Sequence, residues 1–338
     1  MNHNGKTMQC SIITTFRCNA RCNMCNIWKY PTRAEEEIDF EVLKKLPEGL
    51  RINITGGEPT LRRDIDRLFE ILHPKATLLE LSTNGYNTAK IVELARRYPD
   101  ILIRVSLEGL PAVNDAKRGL KDGFDHALRT MLELKKTKCR NIGFSVVISP
   151  DNYMDLLPLY ELCVALEVEL GNSTVHNSWY FHKEDNVVKS REALEQHELF
   201  VRALLTSRRR GIRARLKDYG RAYFNRSIHR RLRGDEPGYR PPCGALDDFI
   251  FIDPHGNVSP CNGSGEEWII GNIADSTIED MKNTPQWKVA AEKVRNCSRN
   301  CAFIVTERHD MVRRPWKPIA WILRNKWRIW RGKPIDWQ

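Results

Sequence analysis

The chain has 338 residues, enough to bury a substantial core and build two domains, and none of its apolar runs reaches the roughly 18 residues that a membrane-spanning helix needs. Its 54 lysines and arginines against 43 aspartates and glutamates leave a net charge of +11, gathered at 207–240 and after 312. This favours an anionic partner without choosing between phosphate-bearing substrate, membrane surface and nucleic acid. The N-terminus, Met1 to Lys6, lacks the apolar stretch of a secretory signal. A cytoplasmic location is therefore expected, where ten cysteines read as metal ligands or core thiols rather than disulfides.

Residues 8–180 alternate β-rich runs with amphipathic patterns. Strands are predicted at 9–16, 50–55, 77–82, 101–107, 142–149 and 167–176, and helices near 38–46, 62–73, 88–98, 123–138 and 152–166. Six such units make an α/β fold, a parallel sheet rolled into a partial (β/α)6 TIM-like barrel with ligands at the carboxyl ends of its strands.

Each strand end carries a motif. The first strand feeds Cys18, Cys22 and Cys25 at CxxxCxxC spacing. Thiolates suit zinc, copper(I) or iron–sulfur clusters, and three ligands instead of four leave a position open for substrate. After strand two, Gly56 and Gly57 permit a tight turn against a ligand, and Glu58, before Pro59, can meet an ammonium group. Ser82 and Asn84 end strand three, Ser106 and Glu108 strand four; they are ribose-binding groups or ordinary turns. Arg118 is a carboxylate-binding fork or a solvated helix-end charge. Strand five carries Ser145 and Ile148. Beyond strand six, His176, Trp179 and Tyr180 either face the cavity mouth or pack on the barrel, with His176 a candidate acid or base near neutral pH.

Residues 190–217 read as one helix. The arginine-rich stretch from there to Tyr239, with Tyr219, Tyr223 and Phe224, reads as a connection with a solvated face or a clamp for a substrate phosphate. Alternation over 249–253 and a Pro254-His255-Gly256-Asn257 turn predict a hairpin. Cys243 and Cys261 flank it, and Cys297 and Cys301 follow one helical turn apart. Four thiolates suit either an auxiliary cluster or zinc. Cys10, Cys139 and Cys163 stand alone, as small core hydrophobes do. After Arg313, Trp316, Trp321, Trp327 and Trp330 interleave with arginine and lysine. This is the composition of an interfacial membrane helix or of a helix docked back on the barrel, docking being preferred.

The CxxxCxxC triad, with Gly-Gly-Glu-Pro one βα unit later, resembles the radical S-adenosylmethionine (radical SAM) superfamily, whose usual aromatic residue before the third cysteine is here Met24. The resemblance implies a [4Fe–4S] cluster on Cys18, Cys22 and Cys25 with one iron open to S-adenosylmethionine. It implies that Gly56, Gly57, Glu58 and Pro59 hold the methionine amino group, that Ser82, Asn84, Ser106 and Glu108 face the ribose, that the Asn114–Arg118 segment holds the carboxylate, and that Ser145 flanks the cosubstrate. The C-x12-G-x4-C element and the later C-x3-C pair resemble the twitch half of SPASM domains. They imply one auxiliary [4Fe–4S] cluster on Cys243, Cys261, Cys297 and Cys301.

The expected division is a barrel over 1–215, the auxiliary domain over 216–305 and the tail over 306–338. The expected activity is hydrogen abstraction by a 5′-deoxyadenosyl radical from a small or lipid-linked, sugar- or cyclitol-type substrate, possessing a phosphate in one form. It ends in dehydrogenation, or in epimerisation with Cys10, Cys139 or Cys163 as thiol hydrogen donor. A flavodoxin- or ferredoxin-type protein would supply electrons, and the tail would allow a peripheral membrane contact. The alternative enzyme is a peptide-modifying maturase, disfavoured by the few residues before the first strand. An RNA-binding or RNA-modifying protein, or a metal-dependent module without chemistry, is the alternative of another class; nucleic acid is not the expected partner.

Overall fold

The computed structural model describes residues 7–234, 243–299 and 301–338. Six strands, Gln9–Ile13 (β1), Leu50–Thr55 (β2), Ala76–Thr83 (β3), Leu102–Ser106 (β4), Asn141–Ile148 (β5) and Glu169–Thr174 (β6), pair in parallel in chain order. Their side chains alternate. In β2, Leu50, Ile52 and Ile54 are buried, while Arg51, Asn53 and Thr55 are half-buried on the other face. The apolar set packs with Leu68, Phe69, Ile91, Leu94, Met131 and Leu159 of the helices in one core. Each such side chain contributes about 1.5–3 kcal/mol by leaving water. The other face keeps Arg51, Glu80, Arg104 and Glu169 within a polar concavity, as an open barrel allows.

The covering helices are Ile65–Leu72 (α1), Thr88–Arg97 (α2), Pro111–Arg118 (α3), Gly123–Lys135 (α4) and Leu156–Ala165 (α5). Residues 38–46, expected as a helix, form only a 3-10 segment at Phe40–Lys45. The eight-residue α3, set off by Pro111 at its first turn, was absent from the expected pattern.

The expected helix at 190–217 is two helices, Arg191–Leu205 (α6) and Ile212–Arg233 (α7), separated at Gly211 with φ +84°. The stretch expected as a connection is thus mostly helix: α7 buries Ala222, Phe224, Ile228 and Leu232. Tyr239 lies outside the described residues. The boundary expected after residue 215 falls inside α7. Nor are all the basic residues here a phosphate clamp. Arg209 is buried and donates to Asp218 and to the carbonyls of Cys163 and Val168, and Arg221 lies against Asp218 and Glu169.

The C-terminal part adds Phe249–Ile252 (β7), Asn257–Ser259 (β8) and Gly271–Asn272 (β9). The hairpin forms as expected, but β7 also pairs in parallel with β1, so among the described residues one sheet runs β6-β5-β4-β3-β2-β1-β7-β8-β9. Helices Ile278–Lys282 (α8), Pro285–Arg295 (α9), Ile304–Arg313 (α10) and Trp316–Trp330 (α11) complete the chain. None of the described helices is long and apolar enough to cross a membrane.

Candidate active site

The loop after β1 carries the cysteine triad and is held from several sides. The turn after β2 binds it through Gly57 N to the Thr15 carbonyl at 2.8 Å and Glu58 N to the Arg17 carbonyl at 2.9 Å. Glycine is required there: a Cβ on Gly57 would lie 2.2 Å from the Arg17 oxygen, and one on Gly56 2.8 Å from that of Thr15. The last turn of α3 accepts Arg21 N and Asn23 N on the carbonyls of Arg118 and Lys117. From the ends of β3 and β5 come Asn84 Nδ2, donating to Asn19 Oδ1, and Asp151, accepting from Asn23. Asn186 Nδ2 reaches the Met24 carbonyl.

These contacts enclose a cavity of about 220 Å³ at the strand ends. Cys18, Cys22, Cys25, Gly56, Gly57, Ser82, Asn84, Ser106, Glu108, Arg118 and His176 all line it. The other half is apolar, with Met24, Ile27, Trp28, Val147, Val175 and Phe181. Three expected residues lie off this surface. Glu58 is buried behind it, its Oε1 accepting from Thr60 N, Thr60 Oγ1 and Thr83 Oγ1 and its Oε2 from Asn84 N, so it ties the β2 and β3 ends together. Pro59 opens the short 3-10 turn beside it. Ser145 sits two residues below Val147 on the concave face, whereas Ile148 points into the core.

Glu108 and Arg118 are both buried and meet at 3.2 Å (Arg118 Nη1 to Glu108 Oε1). Burial pushes the Glu108 carboxyl up from its ordinary value, an effect opposed by the Arg118 charge. Glu108 Oε2 accepts from Val147 N, and Asn114, fully buried, accepts from Glu108 N through its Oδ1. Asn114 thus shapes the β4 end rather than the cavity surface. The Arg118 Nε has no hydrogen-bond partner among the described residues.

His176, expected as an acid or base near neutral pH, lies at the cavity edge with its ring held on several sides. Its Nε2 accepts from Asn262 Nδ2 at 3.1 Å, and burial pushes its pKa down to about 4, keeping the ring uncharged. Phe303 and Phe181 pack on the ring. Tyr180 is packed too, its hydroxyl 2.9 Å from Ser259 Oγ, while Trp179 stays partly exposed. Asn262, next to Cys261 in sequence, is the functional neighbour that sequence reasoning missed; its contact joins segments 86 residues apart.

All ten cysteines fall among the described residues, and none is in a disulfide. Cys10, Cys139 and Cys163 are buried in the core and none lines the cavity, so the expected thiol hydrogen donors are out of reach of it. Burial pushes the Cys18 and Cys25 thiols up to about 12, so a bound metal is what would hold them as thiolates. Cys261 is also pushed to about 12, first by burial and then by the charges of Cys301, Cys243 and Cys297 beside it. The donor chemistry of both sets fits iron–sulfur clusters: a triad on a cavity wall with room beside it, and Cys261 within reach of the charges of Cys243, Cys297 and Cys301. Among the described residues, no three such side chains stand close enough to hold a single metal ion.

A family model described as the radical SAM superfamily matches residues 12–163, and one described as an iron–sulfur cluster-binding domain, SPASM, matches 243–302. Residues 12–163 are thus a radical SAM domain, and residues 243–302 a SPASM domain. The two domain matches fall on the two cysteine sets and imply a [4Fe–4S] cluster used with S-adenosylmethionine and an auxiliary iron–sulfur site. The chain is 31% identical over 157 residues to the Fe-coproporphyrin III synthase of Methanosarcina barkeri, covering 44% of this chain and 39% of that protein. It is 24% identical over 282 residues to the antilisterial bacteriocin subtilosin biosynthesis protein AlbA of Bacillus subtilis, covering 80% of this chain and 58% of that one. These matches thus span less than two thirds of the relatives' own length. The solved structure of native anSMEcpe with bound AdoMet and Cp18Cys peptide shares the radical SAM fold at 19% identity and a TM-score of 0.60, over 89% of this chain and 88% of that one.

Proposed function

We propose that the chain is a peptide-modifying radical SAM enzyme that removes two hydrogens from its substrate. The observation that carries this reading is the 3.1 Å contact between Asn262 and His176, which joins the loop of Cys261 to the wall of the first cavity. A cluster held by Cys261 and its companions would supply an electron acceptor on that side of the cavity. The peptide class is supported by AlbA, a bacteriocin biosynthesis protein whose similarity covers 80% of this chain, and by the peptide in the anSMEcpe structure. The earlier objection, that few residues precede β1, carries no weight against these likenesses.

When bound, the first cluster with S-adenosylmethionine supplies a 5′-deoxyadenosyl radical and the second accepts an electron, the hard chemistry being the cofactors'. Cys18, Cys22 and Cys25 would hold the first, and Cys243, Cys261, Cys297 and Cys301 the second. The Gly56–Gly57 backbone offers polar groups for the methionine ammonium, and the unbonded Arg118 Nε offers a donor for its carboxylate. Ser82 and Ser106 offer hydroxyls to the ribose. Phe181, Val147 and Val175 exclude water from the reacting carbon. An external flavodoxin- or ferredoxin-type protein would deliver the starting electron.

Dehydrogenation of a carbinol in a hydroxyl-rich small molecule is the second reading, favoured by the Thr55 hydroxyl on the same wall. Epimerisation would need a thiol donor, and among the described residues only the triad cysteines, which the first cluster would occupy, line the cavity. The test is anaerobic reconstitution with reductant and S-adenosylmethionine, first alone and then with precursor peptides encoded beside the gene or with carbinol substrates. A peptide lighter by two hydrogens supports the first reading, and an oxidised carbinol the second. 5′-Deoxyadenosine no higher than in a Cys18→Ala/Cys22→Ala/Cys25→Ala variant would defeat both.

A further inference from the structure

The tail forms α11, and one face of that helix is built into the protein. Pro318, Trp321 and Asn325 are buried. Trp321 Nε1 donates to the Asp336 carbonyl at 2.8 Å, and Asp336 N donates to Asn325 Oδ1 at 2.7 Å. Lys326 reaches the Leu205 carbonyl and the Tyr219 hydroxyl, and Trp337 stacks on His229 at 3.6 Å. The docking expected from the sequence therefore holds for this face.

The opposite face has no partner among the described residues. Trp316, Ile319, Leu323, Trp327 and Trp330 are 50–78% exposed and follow one another at steps of three or four, so they form a single stripe along the helix. Residues 311–335 contain eight arginines and lysines and no aspartate or glutamate. Arg314, Lys317 and Arg324 lie against Asp310 and Asp336 just outside that span and Lys326 serves the docked face, which leaves Arg313, Arg328, Arg331 and Lys333. Arg331 lies over the rings of both Trp327 and Trp330, so cations fringe the stripe itself.

We propose that this face of α11 seats the protein on an anionic lipid bilayer. The tryptophans, Ile319 and Leu323 would enter the boundary between headgroups and acyl chains, and the surrounding arginines and lysines would meet lipid phosphates. Charge complementarity selects this occupant. A second copy docking by the same face would set the basic fringe against itself, since a two-fold interface pairs like with like. Nucleic acid would meet cations along a groove, whereas here the centre of the surface is apolar. Tryptophan on an otherwise basic amphipathic helix is the chemistry of the bilayer interface.

The experiment uses the full chain with its clusters, kept anaerobic, and sucrose-loaded vesicles of phosphatidylcholine alone or mixed with phosphatidylglycerol. The protein should sediment with the mixed vesicles at least roughly tenfold more strongly than with the neutral ones, more weakly as salt rises, and with a blue shift of tryptophan fluorescence. Trp316→Gln/Leu323→Gln/Trp330→Gln, all exposed positions, should lose roughly tenfold or more of this binding while keeping its melting temperature and its 5′-deoxyadenosine production. Arg331→Gln/Lys333→Gln should reduce the preference for phosphatidylglycerol. Absence of vesicle binding at low salt, or unchanged binding by the apolar variant, overturns the proposal. So does a lipid-free dimer abolished by that variant in sedimentation velocity, or capture of single-stranded RNA in place of vesicles.

Discussion

Arg118 Nη1 meets Glu108 Oε1 at 3.2 Å on the cavity wall, joining the end of β4 to the end of α3 with both side chains buried. The pair couples the two segments that frame the cosubstrate space, because the carbonyls of Arg118 and Lys117 also hold the cysteine loop. Removing one partner leaves a buried charge uncompensated. Arg118→Ala should cost about 3–5 kcal/mol in denaturant unfolding. Arg118→Lys keeps the charge but loses the Nε donor, and should weaken S-adenosylmethionine in anaerobic equilibrium dialysis more than it lowers stability.

Gly57→Ala tests the anchor between the β2 turn and the triad. A methyl group 2.2 Å from the Arg17 carbonyl forces the cysteine loop to move. Iron and sulfide per chain should fall by roughly half, the first cluster being lost and the auxiliary one kept.

Cys261→Ala should remove the auxiliary cluster alone. The variant is expected to go on producing 5′-deoxyadenosine but to stop yielding two-electron-oxidised product, read by mass spectrometry. Equal product from variant and parent would exclude the electron-acceptor role.

His176→Asn addresses the ring at the cavity edge. Because burial holds His176 near a pKa of about 4, the activity profile between about pH 5.5 and 8 should have the same shape in parent and variant. An inflection near pH 6.5 that vanishes in His176→Asn would assign it an acid–base role.

His197 predicts an acid limit on stability. Fully buried against Asn225, it has a pKa pushed down by burial to about 4, against about 6.5 in the unfolded chain. Between those values the unfolded chain takes up a proton that the native one does not. Stability present above about pH 6.5 is therefore lost as pH falls towards 4, by up to about 3 kcal/mol. His197→Gln should flatten that part of the dependence, measured by denaturant unfolding at pH 7.5 and pH 5.

Much of this protein was legible before any coordinates. The strand spans of β2, β3 and β5, the two cysteine sets and the Gly56–Gly57 turn follow from local pattern: alternation of apolar residues, thiols at close spacing, glycine where the backbone must pass closely. α3 was not legible, because eight residues after a proline carry too few apolar positions to show a period. α7 was read as a connection because its basic surface masks a buried stripe that only its neighbours reveal.

By itself, then, the sequence determined which residues could carry the chemistry, since ligand type and spacing are local properties of the chain. Tertiary structure alone decided how they are used. Glu58 became a tie between strands instead of a cavity group and His176 a neutral ring, because burial and hydrogen-bond partners come from segments far away in sequence. The join between β7 and β1, which brings Asn262 to His176, is of the same kind. Long-range pairing sets distances and dielectric, and no local pattern encodes either.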